Sequence, residues 1–221
     1  YSLIPVSAHV PLSEMLADPD KVFSTYKEIG CPCIAVPYLG DKDRPGKENY
    51  DKTVENIAFL AKKAAGYGIH LMYHNHDFEF VRLANGKYGF DDLYDRIPAE
   101  LLYAEIDTCW VNVAGEYPSG YVRRYKGRVP ILHLKDFVMP GKKPAHLYSL
   151  IGLKDEKSSS GEEAFSFRPV GYGAQNIPAI LDAATDADCR WVVVEQDEAA
   201  LGKTSLECAA LSVNYLKNLY K

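Results

Sequence analysis

Six short runs rich in β-branched and aromatic residues, at about 3–10, 33–38, 69–76, 101–107, 129–135 and 191–195, alternate with longer segments whose apolar residues return every three to four positions. The period switches from two to 3.6 each time, and this alternation confines the chain to βα units wound around a parallel sheet. The runs are apolar enough to be covered on both faces, as parallel strands are. The helical segments carry their own punctuation. Asp18 can cap a helix that has Pro19 at its first position, Val22, Phe23, Tyr26 and Ile29 as its stripe, and Gly30 as its stop. Tyr50, Val54, Ile57, Ala58 and Ala61 mark a second helix, closed by Gly66 and Gly68. Asn176 caps a third with Ile177, Ile180, Leu181 and Ala184 inward, and Leu206, Ala210, Val213 and Tyr220 give the last helix its stripe. Asn85-Gly86 suits a type I′ hairpin turn.

The segment 136–168 has no sustained period, contains Pro140-Gly141-Lys142-Lys143 and Ser158-Ser159-Ser160-Gly161, and is far longer than an ordinary connection, so a lid with a mobile middle is expected there. Nothing resembles an interdomain linker, and 221 residues, 47% of them apolar, suffice for one core; a single domain over 1–221 is expected. Twenty-five basic against thirty acidic residues leave a net charge of −5 with no basic tract, which argues against a nucleic-acid partner. No stretch approaches the roughly 18 apolar residues that cross a bilayer, and no basic and apolar leader opens the chain, so a soluble, cytoplasmic protein is expected, with its natural start left open because residue 1 is Tyr. Five scattered cysteines, Cys31, Cys33, Cys109, Cys189 and Cys208, are an odd number and too sparse for a disulfide framework; reduced thiols follow.

The strand candidates end in unusual residues. His74 and His76, Asp107, His133 and Glu195 all fall at C-terminal ends, and in a (β/α) barrel these ends form the rim where side chains from different strands converge. Imidazoles and carboxylates meeting at one point suit a divalent metal ion, because Mn²⁺, Co²⁺ or Zn²⁺ accepts mixed nitrogen and oxygen ligands. Taken singly, Asp107 could be a helix cap, Glu195 the partner of an arginine and His9 a hydrogen-bonded rim residue; His70 and His146 read as surface positions. Four strands in succession with such ends favour the joint reading. Glu105 shares a face with Asp107 one layer lower and is a supporting candidate.

The runs Tyr73-His74-Asn75-His76-Asp77-Phe78-Glu79-Phe80, Glu105-Ile106-Asp107-Thr108-Cys109-Trp110-Val111, His133-Leu134-Lys135-Asp136, Val170-Gly171-Tyr172-Gly173 and Val194-Glu195-Gln196-Asp197 resemble the xylose-isomerase-like TIM barrels. That superfamily includes sugar (phosphate) isomerases and epimerases, inosose dehydratases and endonuclease IV. The resemblance implies one divalent metal ion (Mn, Co, Zn, Ni or Mg) held by Glu, Asp, His and Glu from consecutive strands. Asp107, His133 and Glu195 match the last three positions. His74 stands where the first glutamate is expected, with His76 or Glu79 as alternative ligands at that place. It also implies eight βα units, of which the first two have no counterpart here, so a missing N-terminal segment or a covering partner chain, such as a second copy, is expected.

The implied activity is a metal-dependent sugar isomerase or epimerase that abstracts a proton next to a carbonyl through a metal-stabilised enediolate. A dehydratase or lyase of inosose or 3-keto-glycoside type would use the same enolate, and the His-Asn-His run and Trp110 lean that way. Glu195 would be ligand and acid/base, His76 or Lys135 the other base or proton donor, and His9, Glu79 and Trp110 would bind the sugar or sugar-derived ketone, Trp110 by stacking. The Gly171-Tyr172-Gly173 loop would close over it. A non-catalytic sugar-binding barrel is the alternative of another class, whereas an abasic-site endonuclease fits poorly with six histidines and net negative charge.

Overall fold

The computed structural model describes residues 2–141, 165–219 and 221. His146, Tyr220 and positions 142–164 of the expected lid lie outside the described residues. Six parallel strands form one sheet in the order β1-β2-β3-β4-β5-β8: β1 Ala8–His9, β2 Cys33–Val36, β3 His70–His74, β4 Leu102–Asp107, β5 Ile131–Leu134 and β8 Trp191–Val194. Each expected strand is present but shorter, so His76, Lys135 and Glu195 sit just past the ends, on the rim. The sheet must curl. His9 on β1 and His133 on β5 are four strands apart, roughly 19 Å in a flat sheet, yet their rings stack with centroids 5.3 Å apart.

Period-two alternation divides the side chains between two faces. Ile34 and Val36, Leu71 and Tyr73, Leu102, Ala104 and Ile106, and Leu132 and Leu134 point outward into the main core, where helices cover them. These helices include α2 (Pro19–Ile29), α3 (Tyr50–Gly66), α4 (Gly89–Arg96), α6 (Pro118–Arg124) and α7 (Ile177–Asp186). The inner face carries a thin floor of Cys33, Ala35, Met72 and Ile131 below the rim residues. Helix signals read as expected for α2, where Asp18 accepts from the Lys21 N–H and Gly30 ends the helix at φ 80°, and for α7, where Asn176 accepts from Ala179. All five cysteines are free thiols, and no helix among the described residues is long and apolar enough to cross a membrane.

Three expectations change. In the last helix, α8 (Ser205–Leu219), Leu206 and Val213 face outward, 81% and 44% exposed, while Cys208 and Ser212 are buried. Ser212 marks the inward face: its hydroxyl accepts from the Val170 N–H and donates to the Cys208 carbonyl, and Tyr215 and Leu216 pack against the core in place of the expected stripe. The adjacent edge strand β8 also leaves Trp191, Val192 and Val194 partly exposed. The Asn85-Gly86 turn is not type I′, because only Gly86 has positive φ; Gly86 N–H donates to the Leu83 carbonyl and a single bridge joins Arg82 to Tyr88. That is a type I turn followed by a left-handed residue.

The third concerns 136–173. The ends of the expected lid pair with each other, β6 (Asp136–Val138) antiparallel to β7 (Ser166–Arg168), and pack Phe137, Phe165 and Phe167 against Trp110. The Gly171-Tyr172-Gly173 loop is pinned rather than poised to close. Asp136 Oδ2 accepts from the N–H groups of Gly171 and Gly173, both at 2.9 Å, and Oδ1 from Phe137 and Gln175. A Cβ at position 173 would lie 2.2 Å from Asp136 Oδ1, so Gly173→Ala must break this cradle. It is expected to cost about 2–3 kcal/mol, read as a lowered urea midpoint with unchanged slope.

Candidate functional site

Parity and register together build the site. His74, Glu105, Asp107 and His133 are all inward positions, and the strand register sets His74 opposite Glu105 and Asp107 opposite His133. Glu195 follows the end of β8, where its N–H donates to the Leu134 carbonyl. One nitrogen or oxygen from each of His74, Asp107, His133 and Glu195 falls within 4.8 Å of the others. The sequence-derived ligand set is therefore brought together, including His74 in place of the expected glutamate. His76 and Glu79 do not join it.

Asp107 has a divided role. Its Oδ1 caps α5 (Thr108–Val113) by accepting from Cys109 and Trp110, so the cap reading holds for this oxygen and leaves the other for the ligand reading. Its Oδ2 is buried without a hydrogen bond, 3.8 Å from His74 Nε2 and 3.6 Å from Lys135 Nζ. Asn75 fixes this strand end: it accepts from the Asp107 N–H and donates to the Asp107 carbonyl. His133 Nδ1 lies 2.6 Å from Glu195 Oε2. Two imidazole nitrogens and two carboxylate oxygens, one of them an unsatisfied buried acceptor, fit a divalent cation of the Mn²⁺, Co²⁺, Ni²⁺ or Zn²⁺ type.

Burial and charge set the protonation states. Burial pulls the His74 imidazole down to about 4, outweighing the pull of Glu105. Burial opposes charge on His133 too, but carboxylates on both its nitrogens, Glu105 and Glu195, push it up to about 10. Burial raises Asp107, against the opposing pull of Lys135. Glu195 is held below the usual carboxylate range, despite burial, by its hydrogen bond to His133 and by Lys135. His76 is pushed far down by burial and stays a neutral base. Lys135 is buried, yet Asp107, Glu195 and Asp197 keep it charged; its ammonium lies 2.6 Å from Asp197.

A cavity of about 180 Å³ opens on this rim, with His9, Tyr38, His74, His76, Lys135, Glu195 and Asp197 in its wall. Of the expected sugar-binding residues, only His9 reaches it. Trp110 is fully buried, with Phe165 stacked parallel 6.3 Å away, His76 at 5.2 Å and the Lys135 ammonium 5.7 Å from its ring. Glu79 is also buried and does not reach back to the rim; it accepts from the Tyr73 hydroxyl at 2.5 Å and the His76 N–H at 2.8 Å. Two residues gained no role from the sequence. Asp197 holds Lys135, a role that its charge two residues past Glu195 was the only signal for. Tyr38 joins the wall and meets His76 edge-on at 5.3 Å, and nothing in its run marked it. Glu105, a supporting candidate, is fully buried and contacts three imidazoles, those of His9, His74 and His133.

The sequence pattern of the family described as xylose isomerase-like TIM barrel matches residues 16–218. An inosose dehydratase of Bacillus cereus (strain AH820) is 30% identical over 167 residues, covering 74% of this chain and 52% of that protein. The chain thus spans about half the length of the curated relatives it matches. A sugar phosphate isomerase/epimerase from Parabacteroides distasonis ATCC 8503 superposes with a TM-score of 0.72 at 21% identity, over 96% of this chain and 70% of that one. The IOLI protein with a bound zinc atom superposes with a TM-score of 0.65 at 18% identity, over 96% and 74%. These two structures share the fold.

Buried Glu79 gives the fold a measurable pH signature. Burial raises its carboxyl from 4.5 to about 7, against the hydrogen bonds from Tyr73 and His76 that favour its charge. The native state therefore holds a proton that the unfolded chain releases, and the associated stability is fully present below pH 4.5 and lost as pH rises to about 7. Glu79→Gln is expected to remove this slope, worth up to about 3 kcal/mol. Urea titrations of both proteins at several pH values check it; parallel pH profiles would refute it.

Proposed function

The chain belongs to the xylose isomerase-like TIM barrel family, and from that premise we propose that it is a divalent-metal-dependent lyase that dehydrates a sugar-derived ketone. The observation that carries the reading is the convergence of His74, Asp107, His133 and Glu195 beside a cavity walled by His76 and Lys135. A divalent cation held by those four residues would supply Lewis-acid stabilisation of negative charge developing on the substrate's oxygens.

The chain's own side chains account for the proton transfers. His76, neutral through burial, accepts the proton from the carbon beside the carbonyl, and the C–H electron pair moves into an enolate. Lys135, held charged by three carboxylates, donates a hydrogen bond to the oxygen that gains charge. When the enolate re-forms the carbonyl, the β-hydroxyl leaves with the proton from His76 as water, and the imidazole is restored. One base that turns acid is enough for this sequence.

Epimerisation asks for more, because it needs exchangeable groups on both sides of the carbon. At the position where the family resemblance expects a second metal-bound glutamate, this chain has His74. Of the cavity's carboxylates among the described residues, Glu195 is tied to His133 and Asp197 to Lys135. The inosose dehydratase relative supports elimination. The sugar phosphate isomerase/epimerase neighbour supports the second reading, reprotonation of the same enolate.

Metal content comes first. Protein purified without chelator is expected to carry about one equivalent of Mn, Co, Ni or Zn by mass spectrometry, lost in Asp107→Ala, His133→Ala and Glu195→Ala; no uptake by the wild type would remove the metal from the reading. The metal-loaded protein, incubated in D₂O with inosose and a panel of keto-sugars, is then expected to give a dehydrated product by NMR. His76→Gln should slow proton removal by about 10²–10⁴-fold. Deuterium entering an epimer or isomer without loss of water would establish the second reading instead, and neither exchange nor elimination would sink both.

A further inference from the structure

Glu105 is a charged group in the sheet interior to which the proposed chemistry gives no part, and what it does follows from which nitrogen of each imidazole it faces. Its Oε2 lies 2.5 Å from His9 Nε2 and 3.2 Å from His74 Nδ1, and its Oε1 lies 3.3 Å from His133 Nε2. Ser7 adds a hydroxyl at 3.4 Å. His74 and His133 each turn the opposite nitrogen toward the ligand cluster: His74 Nε2 is 3.8 Å from Asp107 Oδ2, and His133 Nδ1 is 2.6 Å from Glu195 Oε2. Both rings thus stand between Glu105 beneath them and the other two carboxylates above.

An imidazole can offer a cation only the nitrogen that does not carry its proton, and the carboxylate facing the other nitrogen decides which that is. We infer that Glu105 is a positioning residue that keeps protons on His74 Nδ1 and His133 Nε2, so that His74 Nε2 and His133 Nδ1 become the two nitrogen donors to the divalent cation. The inference rests on the metal reading above and adds to it the mode of coordination: one imidazole binds through Nε2 and the other through Nδ1. His9 is the third arm. It ties Glu105 to β1 at the far end of the curled sheet, stacks on His133 and meets His74 edge-on at 4.8 Å, so both donor rings are held against a third.

The decisive measurement is long-range ¹H–¹⁵N NMR of the zinc-loaded protein labelled at histidine, assigned with His74→Gln and His133→Gln. Protonated Nδ1 on one ring and protonated Nε2 on the other are expected; the same tautomer on both rings would overturn the inference without any variant at Glu105. In parallel, Co²⁺ affinity is measured by chelator competition. Glu105→Gln keeps one acceptor oxygen for three imidazoles, and Glu105→Asp keeps the charge but shortens its reach. Both are expected to weaken Co²⁺ binding about 10–100-fold while leaving one site per chain. Unchanged affinity in either folded variant would refute the positioning role. Two equivalents of Co²⁺ in the wild type, one of them lost in His9→Ala, would make Glu105 a ligand of a second site and likewise refute it. A wild type that binds no metal fails the metal reading itself, a result separate from a metal-binding wild type with unaffected Glu105 variants.

Discussion

The structure turns on the burial of two carboxylates, Glu105 and Asp107, on the inner face of one strand, both with no exposed surface. An isolated ionised carboxylate in such a place costs several kcal/mol, so each must be compensated by groups that the rest of the fold delivers. Glu105 receives three imidazoles from three other strands. Asp107 receives two N–H groups at the start of α5, with Lys135 and His74 beside its second oxygen. Burial still raises Asp107, because the Lys135 ammonium stays 3.6 Å away and Glu195 adds a second negative charge, whereas the imidazoles overcome burial and hold Glu105 well below the usual carboxylate range. Removing any strand of the set strands a charge, which couples the curl of the sheet to the chemistry on its rim.

A second constraint is the ammonium of Lys135, 2% exposed. Its charge is balanced by Asp107, Glu195 and Asp197, and the ammonium lies over two aromatic rings, Phe167 at 5.0 Å and Trp110 at 5.7 Å. Those rings belong to the small cluster that the β6–β7 ribbon lays over α5. Asp136 holds the base of the ribbon to the glycine loop and the residues just after it through the N–H groups of Gly171, Gly173 and Gln175. The ribbon therefore lowers the local dielectric around Lys135 and strengthens every charge contact on that side of the rim.

Much of this was legible in the sequence, and the reason is periodicity. Strand alternation places 74, 105, 107 and 133 on one face whatever the helices do, so the rim residues could be read from type and parity alone. Three failures share a different cause. The outward turn of Leu206 and Val213 accompanies an inward face marked by Ser212, whose hydroxyl meets the Val170 N–H. The sugar-stacking role expected of Trp110 depended on an open ring face, but Phe165 and His76 pack beside it, and both are distant in sequence. Glu79 was expected to reach back to the cluster, yet a 3-10 turn at Phe78–Phe80 carries it to the Tyr73 hydroxyl and the His76 N–H. Each is a contact between specific polar or aromatic groups, across the fold for Ser212 and Trp110 and within six residues for Glu79, and the period of the apolar residues encodes none of them.

The histidine at position 74 finds its explanation in the same contacts. Its Cα is the register partner of Glu105, and its Nδ1 lies 3.2 Å from that carboxylate. A glutamate there, as the family resemblance expects, would set two buried carboxylates side by side, and one of them would have to take a proton to relieve the repulsion. With histidine the same adjacency sets an imidazole nitrogen 3.2 Å from that carboxylate, and the cluster keeps two carboxylates instead of three. In the metal site proposed above, exchanging an oxygen donor for nitrogen would also favour Co²⁺, Ni²⁺ or Zn²⁺ over Mg²⁺, which prefers all-oxygen shells. The loss of a carboxylate at position 74 and the presence of one at position 105 are thus two halves of a single charge arrangement.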